Sequence, residues 1–455
     1  MKQYLAIDIG ASSGRHIVGR LVGGKLETEE VYRFPNGNVQ QDGYLVWDAE
    51  RLFCEVKKGI AAAVAKCGKI DSLSIDTWGV DYVLMQGDKE IFPCYAYRDG
   101  RTERAVKEVH AILPFEKLYE RTGIQFQPFN TVYQLYADKL AGRLEKADGF
   151  LMLPEYLLYK LTGKRVCEYT NATSTGLVNA KTHTFDADII SALGLPARLF
   201  EKQIVQPGTA IGPLKKEVAA EVGGNMTAVL CATHDTASAV LAAPVASDFN
   251  SPYISSGTWS LLGIEQETAH TDPDSMKKNF SNEGGPRFTF RWQKNIIGLW
   301  MLQSARKELG LDFAEAEALA RKNACGARVD CNDEIFLAPE SMCAAVRERA
   351  GQLSDGQLLY CIYASLADCY RGALGAMEEK LGRKFQTLNV IGGGSKDKFL
   401  NELTAKAAGV RVVAGPAEAT AIGNLMVQMI AGGAIKNIGE GREIVKNSFP
   451  LRSFE

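Results

Sequence analysis

Two hydropathy patterns alternate along the chain. One is a short unbroken apolar run that stops at an acid or a glycine. The other is a longer stretch with apolar residues recurring every three or four positions. The first pattern predicts strands over 3–10, 16–22, 70–75, 227–231, 387–391 and 410–414, and a strand–turn–strand over 253–262. The second predicts a helix capped by Asp48, with Leu52, Phe53, Val56, Ile60 and Val64 inward and Gly68 past its end. It predicts further helices over 153–163, with Pro154 in the first turn and Gly163 past the end, and over 237–243, 356–381, 398–408 and 418–430. Asn295 is expected to precede a helix carrying Ile297, Trp300, Met301 and Ser304 on one face, with Gln303 on the same helix. Residues 103–160 read as mostly helical, and 175–226 as helices and connections. Strands alternating with helices give an α/β class.

At 455 residues the chain is too long for one ordinary core. Residues 243–252 hold two prolines, polar residues and no periodicity, so the expected domains are 1–243 and 244–455. The second half opens as the first does, with strand, small polar turn and strand, which points to a duplicated fold. Hydrophobic content of 46% and charged content of 23% are those of a globular protein. A net charge of −2 without a basic block argues against nucleic acid or an anionic membrane as partner. Asp8 interrupts the first apolar run, unlike a signal peptide, and no run approaches the ~20 residues that span a bilayer. The ten cysteines and five histidines have no zinc-like spacing, so reduced thiols in a cytoplasm are expected. Cys343 and Cys361 flank a predicted loop and could pair if oxidised.

The candidate chemistry sits at strand ends. Asp8-Ile9-Gly10-Ala11-Ser12-Ser13-Gly14-Arg15 turns from strand to strand. It is either a plain hairpin or a cradle of backbone N–H groups for a phosphate. No Gly-Lys-Ser/Thr opens a helix there, and a strand rather than a helix follows the glycines. Asp76-Thr77-Trp78-Gly79-Val80-Asp81 ends the 70–75 strand. Trp78 is there either core or the wall of a sugar pocket, and Asp76 either a turn acid or an acceptor for hydroxyls. Tyr97 to Thr102 reads as charge near a helix start, and Gln125 to Gln134 mixes polar and aromatic residues as a hydroxyl-rich ligand requires. Thr233-His234-Asp235-Thr236 joins a strand to a helix. Open α/β folds place chemistry there, though a capping acid would fit as well. Gly392-Gly393-Gly394-Ser395 ends another strand, as a loop or as a close approach for a flat ligand.

Taken in order, Asp8 to Gly14, Thr233 to Thr236, Ser255-Ser256-Gly257-Thr258-Trp259 and Ile391 to Ser395 resemble the FGGY carbohydrate kinases. Ile75 to Asp81, Gly123 to Phe126, Pro128 to Thr131, Tyr169 to Thr173, Asn282-Glu283-Gly284-Gly285 and Ala414 to Ala419 resemble the branch of that family acting on L-rhamnulose. After Phe129 most members carry a lysine before an aromatic helix; Asn130-Thr131 stands here instead, as in that branch. The resemblance implies two actin-like, ribonuclease H-like domains around an ATP and sugar cleft, and a cytoplasmic, monomeric ATP- and Mg²⁺-dependent kinase. It implies that Ala11, Ser12, Ser13, Gly14, Arg15 and Thr258 hold the ATP phosphates, that Asp8 positions Mg²⁺, and that Asn295, Gln303 and Gly394 line the nucleotide. Gly79, Trp78, His234 and Thr236 are implied to meet the sugar, and Asp235 to take the proton from its C1 hydroxyl. The alternatives are a kinase of the same family for another ketose such as L-fuculose, and a non-transferring actin-like ATPase.

Overall fold

The run Tyr4–Ile9 is buried at every position. A strand apolar on both faces belongs inside a sheet. In the computed structural model, which describes residues 1–245, 249–337 and 339–455, it lies within a six-stranded sheet. The strand order is Ala210–Pro213, Thr227–Val229, Ser72–Thr77, Tyr4–Ile9, Ser13–Val22, Lys25–Pro35. Tyr4–Ile9 pairs antiparallel with Ser13–Val22 and parallel with Ser72–Thr77, and the latter register sets Asp8 beside Asp76. Thr227–Val229 is also parallel to Ser72–Thr77. Three parallel strands therefore bring their carboxyl ends to one end of the sheet, with Asp8 and Asp76 near the ends of two and Asp235 beyond the third.

The helix Ala49–Cys67 covers one face of this sheet. Asp48 accepts from the Arg51 N–H, and Gly68 closes the helix at φ 76°. Leu52, Val56 and Ile60 are fully buried, each worth about 1.5–3 kcal/mol relative to exposure. Phe53 and Val64 stay half-buried at the margin. Gly59 faces His16 so closely that a Cβ would lie 2.3 Å from the imidazole.

His16 is a buried polar group of this layer. Its Nε2 lies 3.2 Å from the Val56 carbonyl, and Nδ1 has no partner. Burial lowers its pKa from 6.5 to about 4. The unfolded chain therefore takes up a proton as pH falls below 6.5 while the folded chain resists, so stability is lost from pH 6.5 down to about 4. By pH 5 the loss relative to a His16→Leu variant is expected to reach about 2 kcal/mol. Urea unfolding of both proteins at pH 7.5 and pH 5 measures it, and parallel pH profiles would refute it.

The chain divides into two units. One comprises Met1–Ala242, Gln266–Trp292 and Thr420–Ser448; the other Ala243–Glu265, Gln293–Ala419 and Phe449–Glu455. Residues 246–248, within the expected boundary, lie outside the described residues. In the first unit the late helix Ala419–Ala431 packs on the early strands. Gln428 donates to the Leu5 carbonyl at 3.0 Å and accepts from Ser72 Oγ at 2.6 Å, while Asn424 donates to Asp76 Oδ2 at 2.6 Å. Gly423 lets the helix touch Ser238, whose carbonyl oxygen would be 1.8 Å from a Cβ.

The second unit repeats the local pattern. Tyr253–Ser256 pairs antiparallel with Trp259–Gln266 and parallel with Thr387–Ile391, followed by Arg411–Ala414 and Arg452–Phe454. The helix Asp355–Leu381 starts at a Ser354/Gln357 capping box and ends at Gly382, φ 63°.

Several expectations are corrected. Asn295 and Ile297 belong to the strand Phe290–Ile297, and the helix begins only at Trp300. A strand, Gly149–Met152, interrupts the segment read as helical. Another, Ala210–Pro213, lies among the connections. Cys343 and Cys361 lie buried on the two helices that flank residues 351–354, as expected, and all ten cysteines are free thiols. Among the described residues no helix is long and apolar enough to cross a membrane.

Candidate active site

The strand Thr227–Val229 feeds a short connection into the helix Asp235–Leu241. The connection is pinned from a distance. Glu168, fully buried, accepts from the Thr233 N–H at 3.0 Å, from its hydroxyl at 2.7 Å and from the Thr170 hydroxyl at 2.6 Å. Thr77 N donates to the Thr233 carbonyl at 3.0 Å. His234 occupies the N-cap position without capping through its side chain, so Asp235 falls at the first helical residue. Asp235 Oδ1 accepts from the Thr236 N–H at 2.6 Å and its hydroxyl at 3.2 Å. Its side chain keeps 30% of its surface accessible. Burial and the nearby Asp8 carboxylate hold Asp235 above the ordinary carboxylate pKa, against the His234 and Thr236 contacts that lower it. Asp76 is pushed up further, by complete burial and by the Asp8 and Asp235 carboxylates.

Behind His234 stands a buried ion pair. His234 Nδ1 lies 3.2 Å from Glu283 Oε2 and 3.2 Å from an Arg291 Nη2, and Nε2 lies 3.6 Å from Asp235 Oδ1. Arg291, with 2% of its side chain exposed, donates to Glu283 at 3.0 Å and to the Gly284 carbonyl at 3.1 Å. The guanidinium can only donate to Nδ1 and the carboxylate can only accept from it, so the two partners favour opposite tautomers of the imidazole.

The second strand end carries Gly79. A Cβ there would meet Ser174 Oγ at 2.9 Å and His234 Nε2 at 3.4 Å. Val80 follows at φ 68°, a costly conformation for a β-branched residue. It is held by Ser174 Oγ on its N–H at 3.2 Å and by the Thr131 hydroxyl on its carbonyl at 2.7 Å. Trp78 takes the core alternative. It is 7% exposed, its ring lies 4.2 Å from that of Trp47, and both indoles donate to Asp81 Oδ2, at 2.9 and 2.6 Å. Gln134 and the Tyr97 N–H complete the shell of Asp81, which burial nonetheless pushes up to about 6. Asp99 caps the turn at Arg101, as a cap reading requires, and Arg101 pairs with buried Asp138 at 2.9 Å.

Each unit presents a hairpin tip. In the first unit Gly10 N donates to the Ser13 carbonyl at 2.9 Å, and Asn36 braces the turn through Gly10 O at 2.8 Å and Ser12 O at 2.9 Å. The N–H groups of Ala11 and Ser12 have no acceptor among the described residues. Gly14 packs against Phe34, whose ring would be 2.2 Å from a Cβ. Asp8 Oδ2 receives two bonds from Arg15, at 2.7 and 2.9 Å. In the second unit Gly257 N donates to the Trp259 carbonyl at 2.8 Å, and exposed Thr258 accepts from Trp300 N at 3.1 Å, tying the tip to the helix that carries Gln303. Gly394 packs on Ser256, where a Cβ would lie 1.9 Å from Oγ. Its small size is required by protein packing whatever binds nearby. Ser256 Oγ and Asn295 Oδ1 are buried without partners.

The first unit thus gathers Asp8, Ala11–Arg15, Gly79, His234, Asp235 and Thr236 at the carboxyl ends of one sheet. Thr258, Asn295, Gln303 and Gly394 belong to the second. Glu168, Arg291 and Asn36 were not visible as site residues in the sequence, since none lies in a motif with the group it holds.

Both units have the architecture of small-molecule kinases. The ligand-bound xylulose kinase of Lactobacillus acidophilus superposes with a TM-score of 0.83 at 18% identity, covering 100% of this chain and 94% of that one. The N-terminal domain model of the FGGY family of carbohydrate kinases matches residues 3–242, and the C-terminal model residues 252–432. The chain belongs to the FGGY family of carbohydrate kinases. A rhamnulokinase of Oceanobacillus iheyensis is 44% identical over 99% of this chain and 97% of its own. One from Halalkalibacterium halodurans is 42% identical over 100% and 99%.

Proposed function

We propose that this enzyme transfers the γ-phosphoryl group of ATP to the C1 hydroxyl of L-rhamnulose, giving L-rhamnulose 1-phosphate and ADP. The 44% identity to a rhamnulokinase along almost the whole chain carries the reading. The same reading divides the domains at 243/244 and makes the enzyme a cytoplasmic monomer of L-rhamnose degradation.

Phosphoryl transfer is achieved mainly by positioning and charge stabilisation. The C1 oxygen attacks the γ-phosphorus while its proton passes to the Asp235 carboxylate. The bond from the γ-phosphorus to its bridging oxygen breaks, and the electron pair leaves on ADP. Thr236 holds Oδ1 of Asp235 and orients the carboxylate. Its raised proton affinity suits a base. Gly79 gives the sugar close approach, His234 offers Nε2 to a hydroxyl, and Trp78 stiffens the wall from behind. Ala11, Ser12, Ser13, Gly14, Arg15 and Thr258 are assigned to the phosphates. The unpaired N–H groups at the first tip fit an anion. Asn295, whose buried Oδ1 lacks a partner, is assigned with Gln303 and Gly394 to the nucleotide side. Asp8 is assigned to Mg²⁺ through its water shell, and the bound metal would supply charge neutralisation at the phosphates.

A coupled ADP-release assay with MgATP over L-rhamnulose, L-fuculose and D-xylulose tests the reading. L-Rhamnulose is expected to lead in kcat/KM by at least about tenfold, as a missed hydrogen bond in a built site predicts. A higher value for either other ketose would reassign the substrate, and ATP turnover indifferent to every sugar would favour a non-transferring ATPase.

A further inference from the structure

Two carboxamide side chains, on elements that brace Val80 and Gly79, are buried without the partners that buried amides require. Gln125 is 2% exposed, and neither its Oε1 nor its Nε2 has a hydrogen bond. Asn171 is fully buried, its Nδ2 has no partner, and its Oδ1 meets only the Ser174 hydroxyl, at 3.4 Å. An unpaired buried polar group costs about 1–3 kcal/mol, and a chain that keeps three such atoms normally has a use for them.

Both belong to elements that surround Gly79 and His234. Asn171 lies on the helix Tyr169–Ser174, whose Ser174 hydroxyl receives the Val80 N–H and crowds Gly79. Gln125 lies in the loop before the helix Thr131–Leu140, the helix whose Thr131 and Gln134 hold the Val80 carbonyl. Its backbone is fixed, with the carbonyl accepting from Asn130 at 2.8 Å and the N–H donating to Ser281 Oγ at 3.4 Å. Ser281 starts the strand Ser281–Gly284, which carries Glu283 to His234 and whose Gly284 N donates to Thr173 at 2.8 Å. One strand thus links the Gln125 loop, the Asn171 helix and the imidazole beside Asp235.

We propose that Gln125 and Asn171 are specificity-determining residues that read hydroxyls of the bound ketose. Gln125 brackets one hydroxyl or a vicinal pair through its donor and acceptor ends, and Asn171 donates through Nδ2. The assignment rests on the sugar lying at Gly79 and His234, as read above. A site built this way penalises an epimer twice. The displaced hydroxyl loses its partner, and the amide is left buried without one.

Gln125→Met and Asn171→Leu keep the volume and remove the amides, and Asn171→Asp keeps the shape while turning the donor into an acceptor. Steady-state assays with L-rhamnulose and L-fuculose, sugar binding by calorimetry without nucleotide, and thermal unfolding are measured on each. The expected result is a fall in kcat/KM for L-rhamnulose of at least about tenfold, mostly in KM. It is accompanied by a drop in the L-rhamnulose to L-fuculose ratio and by an unchanged or higher melting temperature in the two apolar variants. Unchanged kinetics with a lowered melting temperature would overturn the proposal in favour of amides satisfied by internal water. If Asn171→Leu fails to fold, Asn171→Asp decides: retained L-rhamnulose binding overturns the role of Asn171. Failure of the unaltered enzyme to phosphorylate any ketose would instead overturn the functional reading, and this assignment with it.

Discussion

Asp235→Asn is expected to lower kcat by about 10²–10⁴ while leaving nucleotide affinity near normal. The asparagine oxygen can still accept from the Thr236 N–H and hydroxyl, so the start of the helix Asp235–Leu241 is preserved. What the amide cannot do is take the proton of an attacking hydroxyl. The loss therefore falls on the chemical step rather than on KM. The pH profile gives a second signature. Burial and the Asp8 charge raise the Asp235 pKa, so the acid limb of kcat/KM in the unaltered enzyme lies above the ordinary carboxylate range near pH 4. That limb should vanish in the variant. Single-turnover phosphoryl transfer and ADP titration calorimetry measure the two halves of the prediction, and a near-normal kcat would remove Asp235 as the base.

The second large effect is expected at Asp8. Asp8→Asn should raise the Mg²⁺ concentration for half-maximal activity by about 10–100-fold, the range for groups that orient a metal and its ligands. The carboxylate receives both Arg15 bonds on Oδ2. Removing its charge breaks that ion pair beside the hairpin tip, and relieves the repulsion acting on Asp76 and Asp235. The acid limb of the pH profile should therefore move down as the metal requirement moves up. Activity titrated with Mg²⁺ at fixed ATP, repeated at several pH values, tests both. An unchanged metal titration would argue against the metal role.

Local chemistry was legible in the sequence where it coincided with local structure. The strand Tyr4–Ile9 with its turn, the capped helix Ala49–Cys67 and the long helix Asp355–Leu381 all follow from spacing and capping residues within one segment. Phe290–Ile297 was misjudged because it is buried on both faces over its first four positions, Phe290 to Gln293. Such a strand shows no alternation, and Ile297 falls in step with Trp300 and Met301 by chance. Trp78 was ambiguous because a tryptophan next to a glycine at a strand end suits a ligand as well as a core. What decided it was Asp81, which collects both indole N–H groups. Glu168 and Arg291 were invisible for a different reason. Their partners, Thr233 and His234, lie 65 and 57 residues away, and no local pattern reports a contact at that separation. Gly394 carried an ambiguous signal, since packing on Ser256 of the protein itself already requires a glycine there.

The polar seam made by Asn424 and Gln428 has a consequence for biosynthesis. Residues 420–448 leave the ribosome after most of the second unit, yet they complete the unit built on the first strand. Until they arrive, the Ser72 hydroxyl, the Leu5 carbonyl and the Asp76 carboxylate lack the amides that satisfy them, and the surface of Gly19 that receives Leu425 is bare. The nascent chain must therefore carry an unfinished first unit through synthesis of most of the second one. Vectorial folding from the amino terminus, the ordinary route for two-domain proteins, stops short here, and the late helix Ala419–Ala431 acts as the clasp that makes folding of the first unit wait for residues beyond most of the second.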